Sequence, residues 1–282
     1  MDNQPPRSSA FGRFVAGNFT TTFSYPLRGI YFFLSHRYLW PLLRARLIPL
    51  TLLSLCIVTL FFILVYVPQV ALLLLFHRSG SAWVNGAFLV LSEANLIIAL
   101  LFEAFLVDKT QVDVFDATLV ARGHSDLVKE RRPVDTEQHE TPLQSLGPRE
   151  KGAVFAPFSF RQIIEFVVFL PLNFIPYAGV PLFLILTGYR AGPLLQHRYH
   201  AMLGLTKQER RTFVHTKARR WQYMWFGTVA LVLQLVPVLS MLFLITTACG
   251  SALWAADMES KQQASLEQQQ PEEGHGDYTD EP

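Results

Sequence analysis

Long apolar segments alternate with polar, charged segments along the chain, and this alternation is the strongest signal in the sequence. A helix needs about 20 apolar residues to cross the hydrocarbon core of a membrane, and each apolar segment is longer than that. The pattern therefore predicts an all-α integral membrane protein with a single helical membrane domain over 25–257. The four apolar segments are 47–76, 82–107, 163–188 and 221–256.

The first two apolar segments have the form of ordinary transmembrane helices. Residues 47–76 carry no charged side chain, and Pro49 and Pro68 lie near the two ends. Residues 82–107 follow after a short polar link at 77–81. With a rise of about 1.5 Å per residue, both segments can span the membrane with some tilt. We expect two long transmembrane helices here.

The last apolar segment is too long for one span and is interrupted in the middle. A straight helix over residues 221–256 would reach about 54 Å, whereas the hydrocarbon core is about 30 Å thick. Pro237 divides the segment into two arms, neither long enough to span comfortably. The pattern predicts a re-entrant helical hairpin, which enters and leaves the membrane on the same side. The alternative is one kinked span, with the C-terminus on the opposite side.

Residues 163–188 repeat this design with a denser break, and we expect a second re-entrant hairpin there. Broken backbone at membrane depth is tolerated only where protein or a cavity covers it. Both hairpins should therefore pack against other parts of the protein. The residues that interrupt this segment are Pro171, Asn173, Pro176, Gly179 and Pro181.

The polar segments complete the predicted organisation. Residues 26–46 mix aromatic and arginine side chains, which is typical of an interfacial helix at headgroup depth. We expect a flexible N-terminus over 1–24 and a disordered acidic tail over 258–282. The connector 108–161 should lie in the cytoplasm, with its first residues continuing the second transmembrane helix and residues 122–151 mostly irregular.

Composition agrees with a membrane protein and argues against an enzyme. The chain is 51% hydrophobic and 16% charged, whereas soluble domains carry about 25% charged residues. Cys56 and Cys249 lie inside apolar segments, where packing is expected rather than a disulfide or a zinc site. Since the sequence has no phosphate-binding loop, nucleophile elbow or triad spacing, we expect no enzymatic activity, no cofactor and no nucleic-acid partner.

The positions of lysine and arginine predict the sidedness. Six precede position 47, eight lie within 108–161 and eight within 190–220, and the remaining two are Arg78 and Lys261. Positively charged segments mark the cytoplasmic side. The N-terminus, the connector and 190–220 should therefore be cytoplasmic. A hairpin at 221–256 places the C-terminus there as well.

Three polar residues of the second span are candidates for function at membrane depth. They are Glu93, Asn95 and, near the cytoplasmic end, Glu103. Ionisable groups in the bilayer are costly and mark ion paths or buried pairs. The alternatives are a proton or ion relay, and a buried hydrogen bond or ion pair that fixes helix packing.

Four further residues form a candidate anion-binding set. Arg44 and Arg46 lie where the interfacial helix meets the first span, where they would attract an anion or anchor the helix at the headgroups. Asn173 and Gly179 lie at the tip of the first hairpin. Helix ends at such a tip leave backbone N–H groups that bind anions. The alternative is a simple turn whose polar groups are satisfied locally.

A histidine pair raises the question of a metal. His197 and His200 are three residues apart, a spacing that suits a metal on a helix. No cysteine or carboxylate lies close by in the sequence to complete a ligand set. We expect a polar loop at the headgroups and no metal.

Four further motifs stand out, Asn-Phe-Ile-Pro-Tyr-Ala-Gly (173–179), Trp-Phe-Gly (225–227), Leu-Val-Pro-Val-Leu (235–239) and Ala-Cys-Gly-Ser-Ala-Leu-Trp (248–254). Together they resemble one membrane-protein superfamily, that of the bacterial CysZ sulfate permeases and the eukaryotic etoposide-induced transmembrane proteins. The resemblance implies two long transmembrane helices and two hemi-penetrating hairpins. Ser240 stands near an Asn of the permeases, and Ala45 splits their basic pair.

Within that superfamily, residues 39–43, 186–193 and 197–199 look more like the fungal branch. This branch includes proteins associated with lipid droplets and with assembly of the outer spore wall. The resemblance implies a membrane organiser at the endoplasmic reticulum or lipid droplets. Membrane lipids are candidate partners, and so is a second copy of the chain, since partly inserted hairpins need a partner to cover their broken ends.

Two other functions remain open from the sequence. One is an anion permease like CysZ, in which the candidate anion-binding set forms the path of an inorganic anion such as sulfate. The other is a structural subunit of a larger membrane complex, for which the acidic tail would be a contact site.

Overall fold

All regular structure in the described part of the chain is helical, which confirms the all-α prediction there. A computed structural model of the protein describes residues 22–75, 80–104, 107–137, 139–157, 160–215, 217–236 and 239–267. The helices are α1 Ser24–Ser35, α2 Trp40–Leu64, α3 Tyr66–Leu74, α4 Ser81–Ala104, α5 Val107–Ala121, α6 Ser125–Lys129, α7 Phe160–Phe169, α8 Gly179–Leu195, α9 His197–Met202, α10 Lys207–His215, α11 Lys217–Gln234 and α12 Ser240–Glu267, with 3-10 turns at Arg37–Leu39 and Leu170–Phe174.

The predicted first span is a bent pair of helices rather than one tilted helix. Helices α2 and α3 meet at Val65, and the stretches Thr51–Leu64 and Tyr66–Leu74 form an angle of 46°. The cause is Pro68, which has no N–H to donate to the carbonyl of Leu64, four residues earlier. The helix therefore ends at Leu64 and starts again at Tyr66, with Val65 between the two helices.

The predicted second span is present as α4, which packs against both helices of the bent pair. The link after α3 is short, and the Tyr66 ring lies 6.2 Å from that of Trp83. At Gly86 a Cβ atom would come within 2.6 Å of Val70, so glycine allows α3 and α4 to approach closely. The described part of this helix includes Ser81–Ile98, which is long and apolar enough to cross a membrane.

The last apolar segment forms α11 and α12, which lie antiparallel. The Trp254 ring of α12 lies 4.9 Å from Tyr223 and 5.2 Å from Phe226, both on α11. The break falls at 235–239, as predicted, although Pro237 itself lies outside the described residues. The start of α11 is therefore close to the second half of α12.

The prediction that both arms are short is wrong for α12. This helix has 28 residues, and its stretch Ser240–Ala264 is a candidate membrane span. The helix continues to Glu267, so residues 258–267 are not disordered as expected. Side chains from other segments hold its charged end, and such long-range contacts cannot be predicted from the local sequence pattern.

Helix α12 is also the centre of the molecule, with α1, α2, α5 and α11 packed around it. A Cβ atom at Gly29 of α1 would lie 2.3 Å from the Thr246 carbonyl oxygen. Since Tyr25 and Phe33 are buried as well, α1 has one face on protein. The predicted single interfacial helix over 26–46 is thus divided between α1, a 3-10 turn and the start of α2.

The segment predicted as the first hairpin contains α7, a 3-10 turn and α8. An ion pair joins the two helices, with the Arg190 guanidinium of α8 3.6 Å from the Glu165 carboxylate of α7. Helix α8 packs closely on α11 through three glycines. A Cβ atom at Gly192 would lie 2.0 Å from the Tyr223 carbonyl oxygen, and one at Gly227 would lie 2.1 Å from the Gly188 carbonyl oxygen.

The connector differs most from its prediction, because its first part belongs to the core. Helix α5 packs against α12, with Val112, Phe115 and Leu119 fully buried. Phe155, near the end of the connector, lies 6.0 Å from Phe115 and is also buried. The sequence predicted a cytoplasmic connector whose first residues continue the second transmembrane helix, whereas several charges of this segment are buried in pairs.

Candidate functional site

A buried ionic cluster joins three segments that are far apart in the sequence. Asp116 of α5 accepts hydrogen bonds from Arg198 of α9 at 3.0 and 3.1 Å. Arg132 donates to Asp113 at 2.8 Å and to Asp116 at 3.4 Å, and Arg149 donates to both carboxylate oxygens of Asp113. We call Asp113, Asp116, Arg132, Arg149 and Arg198 the ionic cluster.

The ionic cluster is built as a fixed structural unit. Asp116 is fully buried and Arg198 is 2% exposed. Arg132 also donates through Nε to the Gly147 carbonyl at 2.7 Å, which ties the connector to α5. Burial alone would raise the pKa of Asp113, but hydrogen bonds from Arg149 and Arg132 outweigh it and lower the pKa below its usual value. Charges that are this closely paired position segments rather than move protons.

The end of α12 is held by hydrogen bonds from three other segments, which we call the clasp. The Tyr25 hydroxyl of α1 donates to Asp257 at 2.6 Å, and the Tyr199 hydroxyl of α9 donates to Glu259 at 2.6 Å. His124, just after α5, is hydrogen-bonded to Ser260 at 3.2 Å. The clasp thus gathers α1, the connector and α9 around the charged end of α12.

The candidate anion-binding residues each have a local structural partner where the structure describes them. Arg44 is exposed, with its guanidinium 5.7 Å from the centre of the Trp40 ring. Asn173 is 1% exposed and donates to the Leu170 carbonyl at 3.2 Å. A Cβ atom at Gly179 would lie 2.2 Å from the Leu172 carbonyl oxygen, so this glycine closes the turn. The side chain of Arg46 lies outside the described part.

Glu93 joins two helices within the predicted membrane region. Gln69 of α3 donates to its carboxylate at 2.6 Å, an arrangement that suits the packing alternative. Asn95 is partly buried on the same helix. The side chain of Glu103 lies outside the described part of the chain.

The two histidines of α9 face protein rather than an open loop. His200 is 1% exposed and hydrogen-bonded through Nε2 to the Tyr223 hydroxyl at 2.9 Å. Burial lowers the pKa of His200 to about 3, and the positive charge of Arg210 is the next largest cause of this shift. Burial likewise lowers the pKa of His197. Both imidazoles are therefore neutral near pH 7, and His200 serves as a buried packing group while His197 is partly buried.

Sequence reasoning did not single out the ionic cluster or the clasp. The available signal was that Asp113 and Asp116 lie among Val112, Val114 and Phe115, which is unusual for an exposed loop. The partners could not be predicted, because Arg198 is 82 positions from Asp116.

No family model, curated protein or solved structure matches the chain.

Proposed function

We propose that the chain is a non-enzymatic, multi-pass membrane protein that organises the membrane surface at the endoplasmic reticulum and lipid droplets during assembly of the outer spore wall. The resemblance to the fungal branch supplies the process and the organelles. The separation of the molecule into an apolar half and a polar end is the structural observation that supports an organising role.

The apolar half consists of α2, α3 and α4, whose outer faces carry large exposed side chains. Such an area would be an aggregation hazard in water, whereas lipid covers it without cost. Two candidate spans and the bent pair agree with insertion in a membrane. The exposed side chains include Leu52, Leu60, Ile63, Val67, Leu74 and Val84.

The polar end contains the ionic cluster and the clasp, so its charges are engaged in holding segments together. In this proposal the pairs α7/α8 and α11/α12 each return the chain to the side from which it came. In the proposed orientation this side is the cytoplasm, since the basic segments within 108–161 and 190–220 lie there. A broad cytoplasmic face without reaction chemistry suits a protein that organises a membrane surface.

The link at 77–81 makes the endoplasmic reticulum the expected resident membrane. His77 and Arg78 would face neutral oil on a droplet, at a large desolvation cost. In a bilayer they reach water on the far side. We therefore expect the protein to reside in the bilayer and to reach droplets where the two membranes are continuous or in contact.

The test is the location of a fluorescently tagged full chain against a neutral-lipid dye in growing and sporulating fungal cells. The proposal predicts a reticular pattern with enrichment at droplet rims during sporulation. A pattern that never meets droplets would contradict it and make the anion permease the leading alternative. Anion uptake into proteoliposomes, comparing the wild type with Arg44→Gln, would then be the next measurement.

A further inference from the structure

A polar cleft of about 380 Å³ opens beside the clasp, between the start of α11 and the last turns of α12. Its floor is aromatic and rigid. Tyr25, Tyr199 and Trp254 line it and are each less than 5% exposed. The Tyr25 and Trp254 rings stack at 6.2 Å, and both tyrosine hydroxyls are engaged by carboxylates of the clasp. The floor is therefore preorganised.

Charges of both signs meet at the walls of the cleft. Arg219 of α11 and Lys261 of α12 supply positive charge, and Asp257 supplies negative charge, although it also lies 3.7 Å from the Arg122 guanidinium and accepts a hydrogen bond from Tyr25. Asp257 and Lys261 are four residues apart on one helix, so they lie on the same face about 6 Å from each other. The Arg219 guanidinium lies 3.5 Å from the centre of the Phe213 ring, which limits its freedom.

The cleft opens where the apolar part of α11 begins. Trp221 is 57% exposed and is the first residue of the charge-free stretch that continues along this helix. Exposed tryptophan at the end of an apolar helix is typical of the membrane–water interface. A molecule in the cleft would thus have its polar part beside Arg219 and any acyl chains along the apolar surface.

We propose that this cleft binds the headgroup of a zwitterionic phospholipid, with the phosphate at Arg219 and Lys261 and the amine at Asp257 and the aromatic floor. A headgroup of this class carries its phosphate and amine two carbons apart, which matches opposite charges one helical turn apart. Cations are attracted to the faces of tryptophan and tyrosine rings. This inference rests on the membrane part of the proposed function and deepens it by naming the lipid class.

An anionic or uncharged lipid fits the cleft less well. An anionic lipid such as phosphatidylglycerol has a phosphate but offers no amine to the Asp257 carboxylate, and a headgroup with a second negative group would be repelled by that carboxylate. A lipid without phosphate would leave Arg219 and Lys261 without an anion. The mixed charge of the walls therefore selects for a zwitterion.

The test is native mass spectrometry of the purified full chain in detergent with equal amounts of phosphatidylcholine, phosphatidylethanolamine, phosphatidylglycerol and diacylglycerol. We expect retention of the first two. The double variant Arg219→Gln, Lys261→Gln should weaken that binding about tenfold or more, because a hydrogen bond to a charged group is lost at each position. The control Lys207→Gln, Arg211→Gln removes the same charge from exposed positions of α10 and should bind as the wild type does.

Equal retention of phosphatidylglycerol would overturn the proposal, as would an unchanged affinity in the cleft variant or an equal loss in the control. Reversal of the exposed Lys261 by Lys261→Glu is a second variant, for which we expect a larger loss of bound phospholipid. The result is independent of localisation. If the protein reaches droplets but retains no zwitterionic lipid, only the proposal about the cleft is refuted. If it binds the lipid but never meets droplets, only the proposed location is refuted.

Discussion

Asp116 has a central position among the individual residues, since it is fully buried between two arginines of different segments. Replacing it with alanine would leave Arg198 and Arg132 buried without this carboxylate. Removing one partner of a buried ion pair typically costs about 3–5 kcal/mol. We expect Asp116→Ala to lower the free energy of unfolding by this order, measured by denaturant titration in detergent.

The matched control for this change is Asp126→Ala. Asp126 also pairs with a cation, Lys129, but its side chain is 92% exposed. Exposed pairs contribute about 0–1 kcal/mol. Equal effects of the two substitutions would mean that the ionic cluster does not stabilise the fold.

His200 should make stability depend on pH. Its pKa is lowered to about 3 in the folded protein, against about 6.5 in the unfolded chain. Between these two pKa values the unfolded state binds more protons than the folded state. The free energy of unfolding is therefore unaffected by His200 above pH 6.5, and it decreases as the pH falls toward 3. At pH 5 the loss is about 2 kcal/mol.

The measurement is the difference in melting temperature between pH 7.5 and pH 5 for the wild type, His200→Gln and His139→Gln. His139 is exposed and serves as the control. The His200 variant should show a smaller difference than the other two proteins. An identical difference in all three would exclude His200 as the source.

At the scale of elements, the contact of α8 with α11 depends on glycine. A Cβ atom at Gly192 would lie 2.0 Å from the Tyr223 carbonyl oxygen, so Gly192→Ala must push the helices apart. Overpacking of this kind costs about 1–3 kcal/mol. We expect a lower melting temperature for Gly192→Ala and little change for Gly80→Ala, where a Cβ atom meets nothing within 4 Å. A similar loss in both variants would refute this role of Gly192.

The sequence predicted elements well where the signal is local. The breaks at 170–178 and 235–239 were found because proline and glycine act on their own backbone. The length of α12 and the burial of α5 were missed because both depend on distant partners. Glu259 looks like part of an acidic tail until Tyr199, 60 positions away, is seen to hold it. The ionic cluster was missed for the same reason. It joins Asp116 to Arg132 and Arg198, and no sequence motif links these three positions.

At the scale of the whole molecule, both proposals require that the long polar segments lie on one side of the membrane. The clasp brings α1, the connector and α9 to the end of α12, and the cleft adds the start of α11. We propose that these segments form one broad polar face on the cytoplasmic side, which is the central claim about the architecture.

The most direct test of that claim is sided labelling of single cysteines in intact and permeabilised microsomes. Cys56→Ser and Cys249→Ala provide the background, and cysteine is introduced in place of Lys207, Lys261 or Gly80. We predict that the first two positions react with an impermeant reagent in intact microsomes and that the third reacts only after permeabilisation. Labelling of Lys207 and Lys261 positions from opposite sides would contradict the account.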